Sequence, residues 1–193
     1  MEQKKKESRR VRMTKQMIQD SLIELLNNKP IEKIHISELC QLADINRTTF
    51  YNHYESQYDV LREVGEDITD RIVCSAEQES GNESLPLEKQ VSLICSYLQG
   101  HPVEANVLLR NFTADDKVVR DMLSKRISAG QIQYTPIMER YDENTKRLLF
   151  HFLIHGIYNL IRCWILEEID KTPEDIGALA EDIALHGWLR SEQ

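Results

Sequence analysis

Apolar residues recur every three or four positions through most of this 193-residue chain, and no stretch of strict alternation is long enough to read as a strand. Ile18, Leu22, Leu25 and Leu26 fall on one side of a first helix, which Thr14 can cap and which ends near Asn27-Asn28, ahead of Pro30. A short second helix over about 36–43 turns Ile36, Leu39 and Leu42 inward, and a third covers about 47–53. From Gln57 to about Ala76 a longer helix carries Leu61, Val64, Ile68 and Ile72 on one face. Residues 77–84 (EQESGNES) are polar and read as a loop. Beyond them, helical patterns cover about 86–99, 102–111, 115–140, 143–167 and 173–190. Thr113 stands three residues before Asp116, and Thr172 precedes Pro173; both are helix-start signals. The expected fold is all-α with about nine helices. A basic arm and three short helices occupy residues 1–56, and a long helix opens a second helical domain over 57–193.

Composition agrees with this pattern. Hydrophobic residues make up 41% and charged residues 29%, which is globular, and 7 Gly with 5 Pro argue against turn-rich all-β classes. The cysteines, Cys40, Cys74, Cys95 and Cys163, are scattered with no Cys-x-x-Cys, and read as reduced thiols of a cytosolic protein. No apolar run follows the basic N-terminus as in a secretory signal. The longest uncharged stretch, between Arg147 and Arg162, is shorter than the roughly 20 residues a bilayer span needs, so a soluble, cytoplasmic protein with no membrane partner is expected.

Charge changes the picture more. The formal net charge is −8, which taken whole speaks against a nucleic-acid partner. Its distribution does not. Residues 1–15 hold seven Lys or Arg against Glu2 and Glu7, a net +5, and residues 1–60 come to +1 while 61–193 come to −9. A basic arm on a near-neutral module suits contact with nucleic acid, and equally a solvated tail.

The segment IHISELCQLADINRTTFYNHY, Ile34 to Tyr54, has the physics of a helix-turn-helix. Leu39, Leu42 and Ala43 pack the first helix, Ile45 plugs the turn, Asn46 is a good cap for the second, and Phe50 points back to the core. Arg47, Thr48, Thr49, Tyr51, Asn52 and His53 are left as an outward polar set that can reach base edges and phosphates. Residues 9–61 resemble the DNA-binding domain of the TetR family of bacterial transcriptional regulators, through Thr14, Ile18, Ile36, Leu39, Ala43, Ile45, Asn46, Phe50-Tyr51, His53-Tyr54 and Leu61. Residues 150–183 resemble the last two helices of one TetR C-terminal subgroup, with Gly156 and Trp164 at its marked positions.

The resemblance implies roles residue by residue. Arg47, Thr48 and Asn52 occupy base-reading positions; Thr49, Tyr51 and His53 match phosphate-contacting ones; Ser37, at the start of the second helix, faces the backbone. Three positions depart from the family's pattern. Asp44 stands where the turn usually has Gly, a residue that tolerates left-handed φ better than most. His35 replaces the usual Thr or Ser cap, leaving Ser37 as a substitute, and Gln57 replaces a common Lys.

The helix over 143–167 has an apolar face too wide for one neighbour, and the one over 173–190 shows Ile176, Leu179, Ala180, Ile183, Ala184 and Gly187 at helical spacing. Paired with their copies they would form a four-helix dimer interface, as in the TetR family, with Ile157, Ile161, Trp164, Leu179, Ile183 and Gly187 as its residues; the alternative is that both helices close the monomer core. The family also implies a small-molecule effector pocket within residues 85–167, for which Tyr97, Arg110, Phe112, Tyr134, His155 and Tyr158 are the candidates, with His101 and His151 beside them. His151 and His155 are spaced to share a metal, but no third ligand is evident, so no metal and no cofactor are expected.

The expected function is a sequence-specific, effector-controlled transcriptional regulator, a repressor by preference, that binds a palindromic double-stranded operator as a homodimer. The alternative is a helical activator or adaptor working through protein contacts of its acidic domain. An enzyme is not expected, because no phosphate loop, nucleophile motif or metal triad is present.

Overall fold

The computed structural model of the chain describes residues 8–80, 85–128 and 141–186. Among them the regular elements are all helical: α1 (Arg9–Leu26), one 3₁₀ turn (Ile31–Lys33), α2 (Ile36–Leu42), α3 (Arg47–Tyr51), α4 (Gln57–Ser80), α5 (Leu87–Gly100), α6 (Pro102–Asn111), α7 (Lys117–Ser128), α8 (Glu143–Leu166) and α9 (Pro173–His186). The all-α expectation holds. Two compact units meet inside α4, Met1–Asp67 and Ile68–Gln193. The boundary expected at residue 56 falls earlier than this because Val60, Leu61 and Val64, in the first half of α4, are buried.

In the first unit α1 packs on α2 and α2 on α3. Ile18 and Leu22 are fully buried on α1, as the periodicity predicts, together with Gln19 and Ser21. The start of α1 differs from expectation. Ser8 is its cap, its Oγ accepting the Val11 amide at 3.3 Å, whereas Thr14 lies inside the helix with its hydroxyl donating to Arg10 O. Leu42 also differs: it is 42% exposed, and α2 instead buries Leu39 and Cys40, with Ala43 closing its end.

In the second unit the most extensive packing is α9 on α5. Gly177 makes it possible, since a Cβ there would run into Ser92 Oγ and the carbonyl of Glu88. Ile176 and Ala180 are buried on the same face, and the Glu181 carboxylate accepts the Glu88 amide at the positive end of α5. Gly177 and Ala180 therefore serve packing within the chain. Thr172 and Asp175 cap α9 reciprocally, Thr172 N–H to Asp175 Oδ2 at 2.9 Å and Asp175 N–H to Thr172 Oγ1 at 3.1 Å.

The long helix α8 is held from within by polar bonds. The Tyr158 hydroxyl donates to Phe112 O at 2.8 Å and Arg162 Nε to Leu109 O at 2.9 Å, so two α8 side chains satisfy carbonyls at the end of α6. Trp164 is buried and its Nε1 donates to Lys171 O at 3.0 Å. Yet of its 24 residues only Ile161 and Trp164 are buried, while Leu148 is 72% and Phe152 64% exposed. By length and composition alone α8 is long and apolar enough to cross a membrane, the one such helix among the described residues. The charges that flank the uncharged run, Arg147 and Arg162, lie within this helix, which is why the run alone is shorter than a span.

Candidate nucleic-acid interface

Five residues of α3 are set by three local devices. The first is its cap: Asn46 Oδ1 accepts the Thr49 amide at 2.8 Å, fixing where the helix starts. The second is Phe50, with no exposed surface, which ties α3 to the core; its ring meets Tyr54 at 5.9 Å and Tyr51 edge-on at 5.5 Å. The third is the turn. Asp44 takes φ 51°, the left-handed conformation, and the Ile45 amide reaches back to Cys40 O at 3.0 Å. With Asp44 N–H to Gln41 O at 3.3 Å, this is a Schellman cap with Asp where glycine is easiest.

With Phe50 committed inward, Arg47, Thr48, Tyr51 and Asn52 are exposed, and Thr49 and His53 half-buried. The side chains predicted to face a ligand are thus brought together on one short helix and its end, with Asn52 as the helix's terminal residue. Ser37 is exposed on α2. The cap of α2 comes from a residue that sequence reasoning missed. Glu38 Oε2 accepts the His35 amide at 3.0 Å, and Lys29 Nζ holds the other oxygen at 2.6 Å. The Lys29 bond, then the His35 amide, lowers the Glu38 pKa below the usual carboxylate range. The signal was available, since a Glu three residues into a helix is the second half of a capping box.

The unit is braced from behind. Lys15 on α1 pairs with Glu63 on α4 at 2.9 Å and sits 5.6 Å above the Tyr54 ring. Burial, then the negative charge of Glu63, push the Tyr54 phenol well above its ordinary value, so it stays protonated. The lysines of the basic arm, Lys4 to Lys6, lie outside the described residues.

No protein-family model matches the chain, and no curated protein does. Solved structures do. A TetR transcriptional regulator from Streptococcus agalactiae superposes with a TM-score of 0.65 over 91% of this chain and 96% of its own, at 21% identity. A TetR-like regulator from Rhodococcus gives 0.61 over 90% and 94%, at 16% identity. The fold is that of the TetR regulators. FadR from Bacillus subtilis, a transcriptional regulator solved with stearoyl-CoA, shares it at 0.61 over 89% of this chain and 98% of its own, at 15% identity.

In this TetR fold the second unit holds a partly open, apolar cavity of about 70 Å³. Ile72 of α4, Leu98 of α5, Leu108 and Leu109 of α6, and Ile154, Ile157 and Ile161 of α8 supply much of its wall. Of the residues predicted for a pocket only Tyr158 lies there, and its hydroxyl is turned to Phe112 O. Burial pushes that phenol up to about 12. The other candidates are dispersed. Tyr97 donates to Glu104 at 2.7 Å and stacks on His101; Glu104 in turn pairs with Arg71 at 3.1 Å. Arg110 lines a separate open cleft between α6 and the α8–α9 connection, its Nε on Asn106. Phe112 is buried where α6 ends, and His155 faces Asp115 at 3.2 Å. Tyr134 lies outside the described residues.

The residues predicted for a dimer interface divide in the same way. Ile157 and Ile161 line the cavity, and Trp164 is buried against the α8–α9 connection. Leu179 is 45% exposed, Ile183 half-buried, and Gly187 outside the described residues. What α8 presents outward is Leu148, Phe152, Gly156 and Asn159, three or four residues apart on one side. Among the described residues no group of three His, Cys, Asp or Glu could hold a metal ion, although His151 and His155 lie near each other.

Proposed function

We propose that the chain is a TetR-type transcriptional regulator that binds a two-fold operator as a homodimer under the control of a small molecule. The observation that carries the reading is α3: a helix anchored by Phe50 and started by Asn46, with Arg47, Thr48, Tyr51 and Asn52 outward. Arg47 suits the O6 and N7 of guanine and Asn52 the edge of adenine, while Thr49, Tyr51 and His53 hold the backbone and fix register. Residues 1–15, with net charge +5, supply attraction to phosphate without sequence information.

The dimer reading is supported by the outward side of α8. Exposed Leu148 and Phe152 are the kind of surface that a soluble chain covers with a partner, and Gly156, with open space around it, permits close approach of a second helix. Covered in this way, α8 belongs to an interface and not to a bilayer, and the protein is cytoplasmic. A two-fold dimer sets its recognition helices about 34–36 Å apart, or a multiple of that, so the operator is a palindrome. The role is repression by occupancy, with no catalysis. Control runs along α4, which contributes Leu61 and Val64 to the first core and Ile72 to the cavity wall.

Selection of bound DNA from a random pool tests this. The expected result is a palindrome with half-sites one helical turn or a multiple apart. Arg47→Ala should bind that palindrome about 5–150-fold more weakly, the ~1–3 kcal/mol of a bidentate base contact, with helical content unchanged. Tyr51→Phe should weaken binding without relaxing sequence choice. Wild-type affinity in both variants, or recovery of no DNA at low salt, would sink the assignment and favour an adaptor acting through protein contacts.

A further inference from the structure

We propose that Lys15 and Glu63, neither of them on α3, are positioning residues for the recognition helix: acting through the ring of Tyr54, they hold α3 at the angle that base reading requires. The inference rests on the regulator reading for what α3 meets, though not for how α3 is held.

With five residues, α3 is too short to keep its own shape or direction. Phe50 anchors it to the core, and its far end is tied to Tyr54, because the His53 and Tyr54 amides both donate to Phe50 O, at 2.9 and 3.0 Å. Tyr54 is 4% exposed, so the end of α3 must follow wherever its ring lies. Over that ring stands Lys15 Nζ, 5.6 Å from its centre, and Lys15 is held in turn by both oxygens of Glu63, at 2.9 and 3.2 Å. Support therefore runs from Glu63 on α4 to Lys15 on α1, then to the Tyr54 ring, and from there to the carbonyl of Phe50.

Stability alone does not account for the cluster. An ion pair whose side chains are 24% and 31% exposed adds little to folding. The Tyr54 hydroxyl has no hydrogen-bond partner among the described residues, which leaves the ring as the part of the side chain that transmits a contact. What the cluster fixes is direction. A cation set over a ring and clasped by a carboxylate has a narrow choice of geometry, and contacts to base edges tolerate displacements of only about 0.5 Å and 10–20°. Attraction to phosphate is far less sensitive to angle.

The other role open to a partly exposed lysine in this unit is direct contact with phosphate, and the two roles predict opposite responses at Glu63. Removing that carboxylate frees a phosphate-binding lysine and tightens DNA binding; it loosens a positioning lysine and weakens it.

The experiment uses the full chain with two probes, the palindromic duplex recovered by selection and a scrambled duplex of the same composition, over a series of salt concentrations. Lys15→Met and Glu63→Gln should each weaken binding to the palindrome by about 3–30-fold, the loss of one cation–ring contact, with scrambled-duplex affinity, salt slope and helical content little changed. Lys15→Arg, which can keep both the ring contact and the carboxylate pair, should bind the palindrome like the wild type. Residual dipolar couplings of the amides give the direction of α3 relative to α1 without DNA. They should shift over Arg47–Tyr51 in Lys15→Met and Glu63→Gln and stay in place in Lys15→Arg. Wild-type palindrome affinity in both charge-removing variants, tighter binding by Glu63→Gln with a smaller salt slope in Lys15→Met, equal losses on the two duplexes, or unmoved couplings would each overturn the proposal. The two readings fail separately. A wild-type chain that retains no DNA at low salt, with couplings that shift as stated, defeats the regulator alone; full DNA binding with unmoved couplings defeats the positioning alone.

Discussion

The two units use their apolar residues differently. In the first, Ile18, Leu22, Ile34, Leu39, Phe50 and Val60 are all at or near zero exposure, and the outward residues of α3 are polar or amphipathic. In the second, α8 carries apolar groups on two sides and encloses neither fully: Leu148 and Phe152 face out, while Ile154, Ile157 and Ile161 border a void. A closed core with a polar face suits a module that meets a charged, hydrated partner. Apolar surface left uncovered outside and unfilled inside suits one that is completed by something else. The contrast is one of degree, since the first unit also exposes Met13, Met17 and Leu42, but none of its exposed aliphatic side chains approaches the 72% of Leu148.

The sharpest way to break the contrast is in the first core. Phe50→Ala should destabilise that unit by about 3–5 kcal/mol and abolish DNA retention, while α5 and α9 stay helical by hydrogen exchange, because the deleted ring has no exposed surface and leaves a cavity. A smaller effect is expected on the exposed side of α8. Phe152→Glu should weaken self-association by roughly a hundredfold or more, the ~3 kcal/mol of an uncompensated charge in an apolar interface, with the melting of dilute monomer almost unchanged; sedimentation at graded concentrations reads it. An unaltered dimer would mean that this face is not the interface. The smallest change is at the turn. Asp44→Gly should stabilise the first unit by about 0.5–1 kcal/mol, relief of left-handed strain less the extra chain entropy of glycine, measured by denaturant titration.

How much of this could be read from the sequence follows the same division. The helices, the helix-turn-helix, the inward Phe50, the Asn46 cap and the left-handed Asp44 were legible because each is settled by residues within a few positions of it. Local signals also misled where two candidates competed. Ser8 and Thr14 are both good caps, and the choice fell to Ser8, which lets the helix run a turn and more further towards the basic arm. Leu42 obeys the inward periodicity yet is exposed, because Cys40 and Ala43 fill the space beneath α2. In the second unit the sequence could show that α8 is apolar on more than one side, but not which side faces inward. Ile157 and Ile161 border a cavity made by four other helices, and α9 turns Gly177 and Ala180 to α5, contacts that no local pattern encodes.

One consequence of the two-sided α8 reaches beyond the molecule's shape. Ile157 and Ile161, which line the cavity, and Phe152 and Gly156, which would touch a second copy, are less than three turns apart on different faces of one helix. If a tilt or rotation favoured by one contact alters the other, the linkage is reciprocal by thermodynamic necessity. Under the proposed control by a small molecule, the midpoint of an effector titration should then drift with the amount of protein in the tube. A cell that makes more of this chain would, without changing a single residue, reset the concentration at which it responds.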